Sequence, residues 1–133
     1  MSDHVIAEGV LENGYSYKII EIDPTQRYKS EVFSPEGEKI PYEFKFRDAS
    51  SFIEENVLWI TSISNDDESK RHRGKGIAPA LICEVPKILK KRLYSSSKEH
   101  PERRHEAATK VWEKLKKEGK AGYNGMIDRY YTL

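Results

Sequence analysis

The run Val57-Leu58-Trp59-Ile60-Thr61-Ser62-Ile63 is apolar on both parities and carries no charge. Such a segment is the most apolar strand in the chain and the best candidate for the centre of a sheet. The residues after it limit the fold further. A polar, acidic loop covers Ser64 to Lys70, and then comes Arg73-Gly74-Lys75-Gly76-Ile77-Ala78. Beyond it, Ala80, Leu81, Val85, Ile88 and Leu89 recur at helical spacing. Pro79 sits near the helix start, where its missing N–H costs little. Pro86 lies inside the pattern and predicts a kink or an early end. A central strand, a glycine-containing loop and a helix therefore come in succession.

The preceding residues read as strands and turns. Gly14 to Ile22 alternates and stops at Asp23-Pro24. Tyr28 to Phe33 is a second short strand, and Ser34-Pro35-Glu36-Gly37 is a turn signal. Ile40 to Phe46 is a third, with Tyr42, Phe44 and Phe46 on one face. Asp48 to Glu55 allows a short helical turn. After the glycine segment, Arg92 to Ser96 reads as a short strand and Pro101 to Lys117 as the clearest helix. Ala107, Ala108, Val111, Trp112 and Leu115 form its apolar stripe, and Gly119 ends it. Gly122 to Gly125 reads as a turn and Met126 to Leu133 as a last strand. The order β-β-β-β-α-β-α-β predicts an α+β fold, a mixed α/β sheet packed by two main helices. At 133 residues it suits one domain over 1–133, with N-terminal strands in 1–63 and the glycine segment in 64–133.

Charge and cysteine content narrow the function classes. The formal net charge is +1, so no global field favours nucleic acid or membrane. Local clusters must supply any electrostatic function. Lys87, Lys90, Lys91 and Arg92, with Arg103 and Arg104, read as a solvated helix face, or else as a surface for nucleic acid or an acidic partner. Cys83, the one cysteine, excludes an internal disulfide and reads as a small buried hydrophobe rather than a nucleophile. The first eight residues lack a signal peptide's apolar stretch. No segment is long and apolar enough to span a bilayer. A cytoplasmic setting with no membrane partner is the expectation. His72, His100 and His105 share no ligand spacing with cysteines or carboxylates, so no metal site is expected.

The glycine segment carries the chemistry. Glycines at a strand-to-helix junction let backbone approach a ligand closely. Unpaired N–H groups at the helix start and the helix dipole favour a negative charge there. A pyrophosphate suits such a site, and Lys70, Arg71, His72, Arg73 and Lys75 add positive charge. The P-loop pattern fails, because Lys75 precedes Gly76 rather than Ser or Thr. The dinucleotide fingerprint matches at Gly74 and Gly76, but Pro79 holds its third glycine position.

The segment resembles the acyl-CoA loop of the GCN5-related N-acetyltransferases, whose motif places Arg or Gln, Gly and then Gly or Ala where this chain has Arg73, Gly76 and Ala78. The likeness covers roughly Val57 to Leu133, and the N-terminal strands loosely. It implies a compact acetyltransferase-like fold with a reduced N-terminal helical part. It implies acetyl-CoA as co-substrate, held by Ile63, Arg73, Gly74, Lys75, Gly76, Ile77 and Ala78. It also implies transfer of the acetyl group to an amine on a protein or small molecule by direct attack on the thioester. Downstream, His105, Ala108, Val111 and Trp112 occupy the family's Asn-x-x-Ala-x-x-Leu-Tyr places. His105 replaces an Asn that contacts the cofactor, and Trp112 replaces the Tyr that often serves as general acid. An indole cannot serve as that acid, so Trp112 reads as packing. The loop before Arg73 is longer than the family's. Its Asp66, Asp67 and Glu68 either stay solvated or attract a basic amine.

Candidate catalytic groups remain. Glu54 and Glu55 precede the central strand and could act as bases; Tyr123, Tyr130 and Tyr131 could act as acids. Glu55 and Tyr123 are the choices taken forward. Ser95, Ser96 and Ser97 lie where the strand beside the cofactor should end. They either bond the pantetheine, with Ser96 the leading candidate, or cap the next helix. No helices are evident between Ile22 and Tyr42, so the acceptor side is expected to be open. A monomer or homodimer is expected. The alternative to an enzyme is a catalytically inactive module that keeps the fold within a larger assembly.

Overall fold

The computed structural model describes residues 4–23, 27–50, 53, 55–65, 76–98, 104 and 106–133. Five strands come first: β1 (His4–Val10), β2 (Ser16–Asp23), β3 (Arg27–Phe33), β4 (Tyr42–Asp48) and β5 (Val57–Asn65). Then come α1 (Ile77–Leu89), β6 (Arg92–Tyr94), α2 (Glu106–Lys117), β7 (Ala121–Asn124) and β8 (Arg129–Thr132). These eight strands form one sheet in the order β1-β2-β3-β4-β5-β6-β8-β7. Among the described residues only β5 and β6 run parallel, joined by the α1 crossover; the other neighbours are antiparallel. The expected mixed α+β architecture is present. β5 is central, as its unbroken apolar pattern requires.

The pleat sorts side chains onto two faces. One face presents Tyr17, Ile19, Val32, Phe44, Phe46, Leu58, Ile60 and Leu93, and both helices pack on it through Ile77, Leu81, Ile82, Val85, Trp112 and Leu115. The opposite face carries a small cluster of Ala49, Val57 and Tyr94, flanked by Ile53, Trp59 and Tyr131. No helix among the described residues lies there, and none is long and apolar enough to cross a membrane.

Three sequence expectations change. β1 was not anticipated, because most of its residues are exposed and show no buried alternation. Gly9 stands opposite Tyr17, and a Cβ there would lie 2.7 Å from the Tyr17 hydroxyl. The ring covers the glycine, so a residue that usually breaks strands fits one here. The same device explains the second change. Gly122 belongs to β7, beneath the Tyr131 ring, which would lie 2.6 Å from an added Cβ. The C-terminus is thus a β7–β8 hairpin in place of a turn and one strand. Third, α1 runs through Pro86 to Leu89. The proline sits in the last turns, where one hydrogen bond is lost while Leu81, Ile82 and Val85 stay buried. Packing of that face outweighs the local defect. Helix α2 ends as expected. Gly119 is left-handed at φ 76°; its N–H reaches the Lys116 carbonyl, and that of Lys120 the Leu115 carbonyl, the paired bonds of a Schellman stop.

Trp112 is a packing residue, as read from the sequence, only 1% exposed and stacked on Tyr130 at 5.9 Å. Trp112→Ala should cost about 3–5 kcal/mol, read as a shift in the urea midpoint at constant slope. A loss below about 1 kcal/mol would contradict the placement of α2.

Candidate functional site

The parallel pairing of β5 with β6 is short. Val57, Leu58 and Trp59 face Arg92, Leu93 and Tyr94, and there the pairing stops. β6 ends at Tyr94 while β5 continues to Asn65. Within that continuation, Lys45 pairs with Ser62 but Phe46 with Ile60, so Thr61 is an extra residue. A bulge of this kind bends its strand and raises the local twist. β5 and the chain after β6 therefore part into a wedge. Its floor is a hydrogen bond from Ser96 Oγ to the Ile60 carbonyl, 2.6 Å. Above that bond, no described strand lies against the β6-side edge of β5.

Helix α1 starts beside the turn between β1 and β2, next to Asn13. Gly76 is its N-cap, left-handed at φ 73° and ψ 22°, with no side-chain cap and no acidic residue in the first turn. Among the described residues no side chain caps the first N–H groups, which favour a negatively charged acceptor. A Cβ on Gly76 would meet nothing nearer than the Asn13 amide at 4.0 Å, so the glycine is needed for its backbone angle and not for space. Ile77 is buried in the core and holds the helix start on the sheet; Ala78 is half-buried.

The remaining sequence candidates divide. Ile63 lies on β5 along the wedge, half-buried against the core. Ser96 is also at the wedge, its hydroxyl donated to β5. Arg73, Gly74, Lys75 and His105 lie outside the described residues. Glu55 is exposed in the turn before β5, at the opposite end of that strand from Ile63. At ~3.3 Å per residue this is roughly 25 Å away, so Glu55 is not brought to the wedge. Tyr123 stands on β7, its hydroxyl donated to Asp128 Oδ1 at 2.8 Å. That hydrogen bond raises its pKa, which makes it a poorer acid. Tyr130 is buried, and its hydroxyl donates to Glu113. Cys83 is half-buried and burial pushes its thiol up, which keeps it protonated.

One carboxylate near the wedge escaped sequence reasoning. Glu43 stands on β4 opposite Ser64, accepts a 2.5 Å hydrogen bond from Ser62 Oγ and lies 3.1 Å from Lys45 Nζ. With Tyr42, Phe44 and Phe46 assigned to one face, alternation already sent Glu43 to the other. Only the pairing of β4 with β5 reveals what it reaches there.

Arg104 was grouped with a solvated basic face, and the structure corrects this. Its side chain is 2% exposed. It donates to Thr109 Oγ1 and to the carbonyls of Ser96 and Asp128, and it pairs with Asp128 Oδ1 at 3.1 Å. Its guanidinium also lies over the Tyr130 ring. The Lys98 N–H donates to the other Asp128 oxygen at 2.7 Å. This knot fixes the segment after β6, and with it Ser96, against the β7–β8 turn.

Burial alone would raise the Asp128 carboxyl, but hydrogen bonds from Lys98, Tyr123 and Arg104 outweigh it and hold its pKa below the usual carboxylate range. The stabilisation is full above the unfolded-state value and vanishes as pH falls through the folded one. Unfolding free energy should therefore drop on acidification below about pH 4, and Asp128→Asn should flatten part of that limb. An unaltered acid limb would count against the knot. At Gly76, substitution with Val should cost about 1–2 kcal/mol from the left-handed backbone alone. Asn should cost less than Ala; equal losses in thermal melts would refute the assigned angle.

Comparison of the chain with protein-family models, with curated proteins and with solved structures finds no match.

Proposed function

We propose that the protein is an acetyl-CoA-dependent N-acetyltransferase of the GCN5-related type. The observation that carries the reading is the bulged, early-ending β5–β6 pair, followed in the chain by a helix α1 whose start has no side-chain cap. An extended ligand with amide groups can lie along the vacant edge of β5 as a further strand would. The pantetheine arm of CoA is such a ligand. Its pyrophosphate would then meet the α1 N-terminus, with Arg73 and Lys75 of the glycine segment as counter-charges. Gly74, Gly76, Ile77 and Ala78 would supply close backbone, and Ile63 and Ser96 would flank the arm.

The chemistry asks little of side chains. The amine nitrogen attacks the thioester carbonyl carbon. The tetrahedral oxyanion accepts a backbone N–H of β5, the carbon–sulfur bond breaks, and the CoA thiolate leaves. The amine proton needs an acceptor, and Glu43 beside Ser62 supplies a carboxylate on the open face, directly or through one water. It takes the place of Glu55, which stands at the wrong end of β5. The thiolate can collect a proton from solvent, so neither Trp112 nor Tyr123 has to provide one.

Titration calorimetry tests the reading. Acetyl-CoA should bind well below millimolar Kd, and Arg73→Glu should abolish binding by placing negative charge beside the pyrophosphate. No heat at millimolar ligand, or unchanged affinity in the variant, would remove the proposal. Across a panel of amines, Glu43→Gln should lower kcat about 10²–10⁴-fold with acetyl-CoA affinity retained. Binding without turnover on every amine would instead favour a module that keeps the site but not the reaction, consistent with the buried Trp112.

A further inference from the structure

Helix α1 is apolar almost all round. Of its thirteen residues only Glu84 and Lys87 are charged, and a helix of that composition is normally covered on every side. Ile77, Leu81, Ile82 and Val85 are buried. Pro79, Ala80, Cys83 and Pro86 are half-buried, and they line a cavity of about 680 Å³. Leu11 of the β1–β2 turn and Leu115 of α2 line it too, with Val10, 68% exposed, beside them. A concave and largely apolar site of this volume, with a few polar groups placed in it, is the usual form of a ligand pocket.

Three glutamates and three lysines line the same cavity. Glu118 and Lys120 answer each other at 3.6 Å. Glu12, Glu84, Lys87 and Lys114 take part in no ion pair among the described residues. Glu84 and Lys87 are three residues apart on one helix, a spacing at which such pairs often close, and this one stays open. Burial first, and then the Glu84 carboxylate, push the Tyr17 pKa up to about 12, so Glu84 stands by a neutral phenol and not by a cation. The signs are ordered along the helix. Glu12 belongs to the turn whose Asn13 lies 4.0 Å from a Cβ built on Gly76, at the start of α1. Lys87 is in its last turn, ~16 Å further along at 1.5 Å per residue. An extended peptide of about five residues is that long.

From this order of charges along an apolar cavity we infer that α1 binds a short apolar peptide with free termini. The peptide ammonium would meet Glu12 and its carboxylate Lys87, with Lys114 adding charge of the same sign from α2. Its apolar side chains would cover Val10, Pro79, Ala80 and Cys83, and a main-chain N–H would reach Glu84. A fatty acid would use the lysines and leave two carboxylates against its tail, and an alkylamine would do the reverse; either arrangement costs desolvation without a partner. A peptide carries both charges at the required separation. The inference does not rest on the acetyltransferase reading, because the wedge is an edge of β5 and this cavity lies on the half-exposed side of α1.

Calorimetry on the full chain tests it with a pentapeptide of leucine and alanine bearing free termini. Binding with a Kd below millimolar is expected. Acetylating the peptide amine should weaken it about fivefold, and amidating the carboxylate likewise, the scale of a partly exposed ion pair. Glu12→Gln should erase the preference for a free amine and keep that for a free carboxylate; Lys87→Gln should do the opposite. The peptide should also slow maleimide labelling of Cys83, the one cysteine, several-fold. No heat at millimolar peptide, equal binding of the blocked peptides, or preferences that survive both substitutions would each overturn the inference. So would unslowed labelling, or hexanoate or hexylamine binding as tightly as the peptide.

Discussion

The molecule depends on three rungs of parallel pairing between β5 and β6. They join the N-terminal antiparallel strands to the β6–β8–β7 end of the sheet. A longer pairing would have closed the wedge with main-chain hydrogen bonds. The bulge at Thr61 turns β5 aside, and the Ser96 hydroxyl replaces the next rung with a single side-chain bond. What is lost in the ladder becomes an edge that a ligand can use. The crossover helix that follows β5 begins at Gly76 with no side-chain cap hydrogen bond.

Keeping the wedge open requires rigidity on its far side, and the Arg104 knot provides it. One guanidinium spans the segment after β6, the start of α2 and the β7–β8 turn. Such a buried ion is tolerated because each of its three nitrogens donates a hydrogen bond and it is paired with Asp128. The Tyr130 ring beneath it stacks in turn on Trp112. The residue standing where the acetyltransferase resemblance expects a tyrosine therefore serves the knot's foundation. That arrangement explains why an indole is accepted at this position whatever the chemistry above it.

Part of this was legible in the residues. The apolar run of β5 announced its central place, the glycines announced the helix start, and the Tyr42–Phe44–Phe46 alternation announced which face of β4 is buried. Other features were hidden for definite reasons. A glycine reads as a breaker until the cross-strand ring that covers it is known, which concealed β1 and the β7–β8 hairpin. Arg104 looked like surface because arginine usually is; its burial depends on acceptors from residues 96, 109 and 128. Glu55 looked well placed because it adjoins the central strand in sequence, yet strand length carries it to the far end.

The sequence by itself determined the mixed α+β class, the central strand and the glycine-capped helix start. These come from local propensity and periodicity, which act over a few neighbouring residues. The tertiary structure decided the rest. It set where the parallel pairing stops and which carboxylate reaches the wedge. These depend on strand register, and register is settled by side chains far apart in the chain that must share one face of one sheet.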